Sequence, residues 1–331
     1  MCPMSPAPSF SELPLPVDLA AAQSAERRIA AYIRRTPARE APGSGLWLKC
    51  ENRQITGSFK LRGALNRVLS LSQGEARRGV LAASAGNHGQ GVAYAARLRG
   101  LSAKIVVPEN AVAEKVAAIR ELGAEVIQIQ GGYPEAEAAG LRIAREEKLT
   151  WISPYNDAAV VAGQATVGLE LVDELPFDDR RRNWQIYVPA SGGGLVCGVG
   201  LVVKALAPQV RIIGVQPRAC PYLHAHLRGR EMATVVETAT IADGLSGSVE
   251  AGSITLDMLA AVVDDIVLVG EEEIEEAMRW AARVAEEVIE PSAAVALAAA
   301  RRDVVRGTER VVVLSGGNAS AALLARVLAG G

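Results

Sequence analysis

Short runs rich in Val, Ile and Ala recur along this chain at residues 80–83, 103–107, 125–129, 185–189, 211–216 and 310–315. Most are separated by Ala-rich stretches in which apolar positions return every three or four residues. Such near-continuous apolar runs predict strands buried on both faces. The intervening periodicity predicts helices over 17–34, 58–71, 87–98, 111–122, 133–147, 158–175, 194–207, 271–288 and 292–305. Strand and helix in alternation mark repeated βαβ units, so the expected fold class is α/β with parallel sheets flanked by helices. No internal repeat of fixed period and no low-complexity linker breaks the pattern.

Composition narrows the possibilities. The chain has 331 residues, half of them apolar, which is enough for a large core and for two domains. Aromatics make up only 4%, so Ala, Val and Leu must do the packing. With 35 basic and 37 acidic residues the net charge is −2, and no basic block interleaved with aromatics tracks a phosphate backbone, which argues against nucleic acid. The four cysteines, Cys2, Cys50, Cys197 and Cys220, stand far apart with no Cys-x-x-Cys pair, so neither a disulfide framework nor a zinc site is expected, and a cytoplasmic location is. Residues 1–16 form a Pro/Ser lead-in without the basic and apolar regions of a signal peptide, and no apolar stretch approaches the roughly 20 residues of a membrane span.

Four glycine-bearing motifs carry the candidate chemistry. In ENRQITGSFKLRGA (residues 51–64), Lys60 follows Ser58-Phe59 between Gly57 and Gly63. An amine sheltered by Phe59 and small neighbours loses its proton near neutral pH and can serve as a covalent hook; an exposed helix-start lysine is the other reading. SGGGLVCG (191–198) follows a predicted strand and opens a predicted helix, so the backbone of Ser191, Gly192, Gly193, Gly194 and Leu195 can curl around an anion. A plain strand-to-helix turn is the alternative. A nicotinamide dinucleotide is disfavoured by the missing GxGxxG spacing and the absence of an acidic residue about 20 positions on. SAGNHGQG (84–91) lies between strand and helix, where its N–H groups can meet a carboxylate. His88 there invites a role as proton shuttle, or as a helix cap. LSGGNAS (314–320) ends the last predicted strand, with Ser315 either functional or a turn residue. His224 and His226, two residues apart on a predicted helix, point apart and read as surface histidines, not a metal pair.

These four motifs, in this order, resemble the pyridoxal-phosphate (PLP) enzymes of the tryptophan-synthase β-subunit fold type, and within them the threonine/serine dehydratase and serine racemase branch. The resemblance runs from about residue 21 to 328. It implies a two-domain α/β fold: a large domain of residues 1–75 and 157–331, a smaller one inserted at 76–156, and PLP in the cleft between them. It implies Lys60 as the residue that binds PLP covalently and later removes the substrate Cα proton. Ser191 to Leu195 become the phosphate cup, with Ser191 where the family usually has another glycine. Ser84, Ala85, Gly86, Asn87 and His88 become the substrate-carboxylate loop, Asn87 also bonding the cofactor's ring oxygen. Ser315 faces the pyridine nitrogen, where a hydroxyl leaves the ring a weaker electron sink than an aspartate would and so favours β-elimination over transamination. Phe59 and Gly244 lie near the cofactor, and Tyr155 lines the substrate pocket, unless it is core packing. Asp243-Gly244 and Glu290 match family segments near the cofactor, or are a turn and a cap.

The reaction implied is dehydration and deamination of a β-hydroxy amino acid, L-threonine or L-serine first, to a 2-oxo acid and ammonia. The racemases of this branch carry a serine hydroxyl one residue before the Gly-Asn-His, where this chain has Ala85; a methyl group carries no proton, so one-way dehydration is expected over racemisation. Relatives acting on 3-hydroxyaspartate use an arginine near Ala136 and an asparagine at Tyr155, which leaves a second carboxylate unpartnered here. A bulkier β-hydroxy amino acid stays open. Gln216 and Tyr222 replace the carboxylates that hold a structural divalent cation in other members, so no metal is expected. The sequence stops at Gly331, short of the regulatory domain of biosynthetic threonine deaminases, and isoleucine feedback is not expected. A homodimer is.

Overall fold

The computed structural model describes residues 15–179 and 181–330. Most of the Pro/Ser lead-in, with Cys2, lies outside the described residues. Two sheets carry the fold. The larger runs β1 (Ala38–Ala41), β2 (Leu46–Lys49), β10 (Thr308–Val313), β7 (Asn183–Pro189), β8 (Arg211–Pro217) and β9 (Asp265–Val269). The smaller runs β5 (Glu125–Ile129), β4 (Ala103–Pro108), β3 (Val80–Ala83) and β6 (Thr150–Trp151). All neighbours pair in parallel except β1 with β2, so the larger sheet is mixed.

Each sheet is covered on both faces, which is why its central strands tolerate unbroken apolar sequence. On one side of the larger sheet pack α1 (Leu19–Ile29), α7 (Ala158–Glu174), α8 (Gly194–Leu206) and α10 (Ile254–Val262); on the other α11 (Glu271–Arg283), α12 (Pro291–Arg302) and α13 (Ala321–Ala329). The smaller sheet lies between α6 (Tyr133–Glu146) and a layer of α2 (Lys60–Leu69), α4 (Asn87–Arg99) and α5 (Ala113–Glu121). With so few aromatics, close helix contact substitutes for bulk. A Cβ on Gly163 of α7 would lie 2.6 Å from the backbone of Arg62 and Gly63 in α2, so those helices touch backbone to backbone. No helix among the described residues is long and apolar enough to cross a membrane.

Several expected boundaries move. The helix predicted over 17–34 stops at Ile29 and tightens into a 3₁₀ turn, Ala30–Tyr32. The one predicted over 271–288 ends at Arg283, because the chain reverses through Glu286 at φ 55° to send Glu287 inward, where Arg39, Arg53 and Asn52 bond its carboxylate. Residues 58 and 59 precede α2 instead of belonging to it. The pattern also missed β1, β2, β6 and β9, the helices α3 (Gln73–Arg78), α10 and α13, and the antiparallel hairpin they begin with: each strand among them has two to five residues, too short to show a period.

A buried charge network fixes α2. Arg62 is fully buried and bonds both oxygens of Glu51, at 2.7 Å each, and both of Glu170, at 2.7 and 2.9 Å. Its Nη1 also reaches the Thr166 hydroxyl at 3.0 Å. Lys49, fully buried at the end of β2, adds ion pairs to Glu170 (2.7 Å) and Glu174 (3.1 Å). The paired charges hold the Glu51 carboxyl below its usual pKa although burial alone would raise it. Removing Arg62 takes the ion-pair partner from buried Glu51, which keeps only the Thr36 hydroxyl, and leaves Glu170 with Lys49 alone. Arg62→Ala should therefore destabilise the protein by about 3–5 kcal/mol, read as a lowered urea midpoint at pH 7.

Candidate active site

Lys60 is the first residue of α2, and what precedes it is fastened to the end of β10. The Phe59 N–H donates to Ser315 O at 3.0 Å, Ser58 forms an antiparallel bridge with Gly316, and the Gly317 N–H donates to Gly57 O at 2.9 Å. Two motifs more than 250 positions apart in number, at 57–60 and 315–317, thus become one double-stranded clasp. Lys60 Nζ donates to Pro154 O at 3.1 Å and sits 5.3 Å from the Phe59 ring centroid. Its bond is to a carbonyl, not to a carboxylate. Desolvation pulls its pKa from 10.5 to about 8, against the opposing charge of Glu290.

Glu290 precedes α12, its backbone N–H bonded to Gly316 O at 3.0 Å. Burial pushes its carboxyl up to about 7, although the Asn87 amide, which donates to Oε1 at 2.7 Å, works the other way. Asn87 is the first residue of α4, so the carboxamide bridges the two sheets' loop ends. Ahead of it, the Ser84 hydroxyl accepts the Gly86 N–H at 3.1 Å and rounds the loop that carries Ala85.

His88 departs from both readings of its side chain. Gly86, not His88, occupies the helix cap. The imidazole is buried with Nε2 2.8 Å from Ile152 O, and since a carbonyl only accepts, that nitrogen carries the proton. Burial, with the Lys60 charge, drives its pKa down to about 3, which leaves a neutral pin and no general base. The expected substrate contact of His88 therefore reduces to its backbone N–H. The pin holds the segment whose Pro154 carbonyl receives Lys60.

The glycine loop lies between β7 and α8. Gly193 takes φ 90°, open to glycine at little cost, and heads the helix. A Cβ on Gly192 would fall 2.2 Å from the Tyr155 ring, and Gly192 O accepts the Thr255 hydroxyl at 2.7 Å. Side chains are thus excluded where first-turn N–H groups, lacking intrahelical partners, are presented. Ser191 is half-buried and Leu195 is in the core, so only the backbone of Leu195 is free to serve an anion. Tyr155 packs its ring on this loop and accepts the Glu250 N–H at 3.1 Å through its hydroxyl, whose pKa burial raises to about 12. Ser315 is buried. Gly244 meets Ser292 near the start of α12, while Asp243 pairs with Lys115 at 3.0 Å.

Other positions read from sequence have structural tasks. Ala136 is fully buried against β3 and β4. Gln216 accepts the His224 N–H at 2.8 Å, and the Tyr222 hydroxyl donates to Glu237 at 2.8 Å. His224 and His226 lie on α9 (Tyr222–Leu227), each partly exposed. Sequence reasoning passed over the Pro154 carbonyl and Asn318. A backbone oxygen leaves no trace in residue type, and Asn318 stood inside a motif credited to its glycines.

The chain matches the family model described as "Pyridoxal-phosphate dependent enzyme" over residues 29–323. It is 40% identical to an L-threonine ammonia-lyase of Thermotoga maritima over 290 residues, 87% of this chain and 71% of that one. The structure of maize serine racemase superposes with a TM-score of 0.86 at 33% identity, covering 95% of this chain and 97% of the other. That of the processed form of threonine deaminase isoform 2 from Solanum lycopersicum does so with 0.85 at 31% identity, covering 96% of each.

The amine's environment yields a direct measurement. Below its pKa the Lys60 amine is protonated and unreactive; above it the lone pair is free. Acetylation of the apoprotein at Lys60, followed by mass spectrometry, should reach half its limiting rate near pH 8, where the lowered pKa lies. A midpoint at the ordinary lysine value would contradict the desolvation.

Proposed function

Because the chain belongs to the pyridoxal-phosphate dependent enzyme family, we propose that it is an ammonia-lyase that dehydrates and deaminates L-threonine and L-serine to 2-oxo acids and ammonia. One observation carries the reading: a desolvated lysine amine, bonded to a carbonyl instead of a carboxylate, beside a loop from which neighbouring side chains exclude all but glycine. That arrangement fits PLP. Lys60 would hold it covalently, the N–H groups of residues 191–195 its phosphate, Asn87 its ring oxygen and Ser315 its pyridine nitrogen, with Phe59 and Gly244 nearby. When bound, the cofactor supplies an aldehyde for the amine and a conjugated ring that takes up the electron pair left at Cα.

The chain's own groups supply the rest. Lys60 Nζ, its pKa lowered to about 8, takes the Cα proton in its unprotonated form. N–H groups of residues 84–88 hold the substrate carboxylate at the start of α4. Tyr155, its hydroxyl already engaged by Glu250, presents an apolar ring to the substrate side chain. Ala85 offers no proton on the opposite face, which supports elimination over racemisation although serine racemases are among the relatives. Residues 76–156 form the smaller domain in this reading, with the site between it and the remainder. A homodimer is part of it too, with apolar Ile55 and Val288, 39% and 54% exposed, available to a second copy.

Purified protein given L-threonine or L-serine should release 2-oxo acid, and Lys60→Ala should lower the rate by about a thousand-fold or more, as expected when covalent anchor and base are lost together. Release that survives in the variant sinks the reading. Ala85→Ser should add D-serine to the products of L-serine, detected by chiral chromatography; none would mean that position 85 does not face the substrate.

A further inference from the structure

Asn87 does not orient itself. Asn318 Nδ2 lies 2.8 Å from Thr56 O and 2.8 Å from Asn87 Oδ1. A peptide carbonyl can only accept, so the Asn318 nitrogen faces it, and with two hydrogens and two acceptors that nitrogen is fully used. Asn87 must then answer with its oxygen. Its nitrogen lies on the far side, 2.7 Å from Glu290 Oε1, which also only accepts when ionised. The Thr56–Asn318 end requires this amide orientation outright, and ionised Glu290 requires the same one from the other end.

The glycines of two motifs make room for these bonds. A Cβ on Gly57 would lie 2.3 Å from Asn318 Oδ1, and one on Gly316 would lie 2.4 Å from Glu290 Oε1 and 3.1 Å from Asn87 Nδ2. One hydrogen on Asn87 Nδ2 is left over. We propose that Asn318 is a positioning residue that fixes the Asn87 carboxamide with its N–H, not its oxygen, toward the ring oxygen of the cofactor. The proposal rests on the cofactor role given above to Asn87. A ring oxygen that carries negative charge is bound by a donor and repelled by an acceptor, so the sense of the amide decides whether residue 87 attracts or expels the cofactor.

Titrating apoprotein with pyridoxal 5'-phosphate tests this, with affinity read from tryptophan quenching and the absorption band of bound cofactor followed against pH. Asn318→Asp keeps the shape but accepts where Asn318 donated, which turns the Asn87 amide around. Asn318→Ala removes the donor without reversing anything. The expected order of affinity is wild type, then alanine, then aspartate, the last weaker than wild type by about ten-fold or more, the worth of one charge-assisted hydrogen bond. The pH midpoint of the band should move in the aspartate variant. A space-filling role predicts the opposite order, since aspartate conserves volume and alanine leaves a hole, and that order or unchanged binding and band overturns the proposal. Asn318→Ser against Asn318→Ala repeats the question without added charge, and serves also if the aspartate variant does not fold: the hydroxyl can donate to Asn87, so serine must bind the cofactor more tightly than alanine. Asn87→Ala binding as well as wild type would overturn the role of Asn87 itself, and wild type that binds no cofactor the functional reading above.

Discussion

One buried guanidinium sets the geometry on which the site depends. Arg62 takes Glu51 from the turn after β2 and Glu170 and Thr166 from α7, using planar donors that fit carboxylates two at a time. It stands two residues after Lys60, on the same first turn of the same helix. Where Arg62 is held, the reactive amine is held. Buried ion pairs of this kind gain little net stability over apolar packing. Their gain is that only one arrangement satisfies every member, and Lys49 with Glu174 extends that demand to the sheet edge.

The same economy governs charge around the amine. Lys60 is half-buried without a carboxylate bond, and the nearest titratable neighbours are kept neutral or poised: His88 by burial and its bond to Ile152 O, Glu290 by a carboxyl raised toward neutrality. Had His88 been free to protonate, two cations would have competed for one pocket. A lysine whose amine is to lose its proton near neutrality is served by such quiet surroundings.

Much of this could be read in advance, and the exceptions have physical reasons. Long strands buried on both faces, β4, β7, β8 and β10, and the helices between them announced themselves by apolar runs and period. The hairpin β1–β2 did not: its strands have four residues each, and Lys49, which looks like the solvated end of LWLK, is buried by ion pairs no period reveals. At the site, residue types with chemistry of their own, Lys60, Asn87 and the triple glycine, were legible. Their supports were not. The Pro154 carbonyl, the Thr255 hydroxyl on Gly192 and the sense of the Asn87 amide depend on partners brought together by the fold, and His88, conspicuous in sequence, turned out to be a pin.

Strand β10 has a consequence for synthesis. It lies inside the larger sheet, between β2 and β7, yet its residues are numbered 308–313, and the clasp beside Lys60 needs residues 315–317 as well. A ribosome has therefore delivered the residues up to 317 before the lysine loop can close. Until then β2 and β7 each lack their shared neighbour, and the loop before Lys60 has nothing to zip against. The smaller sheet, built from residues 80–151, faces no such wait. A nascent chain thus keeps the Lys60 amine in water and protonated, and withdraws it into its pocket only when both sheets have formed.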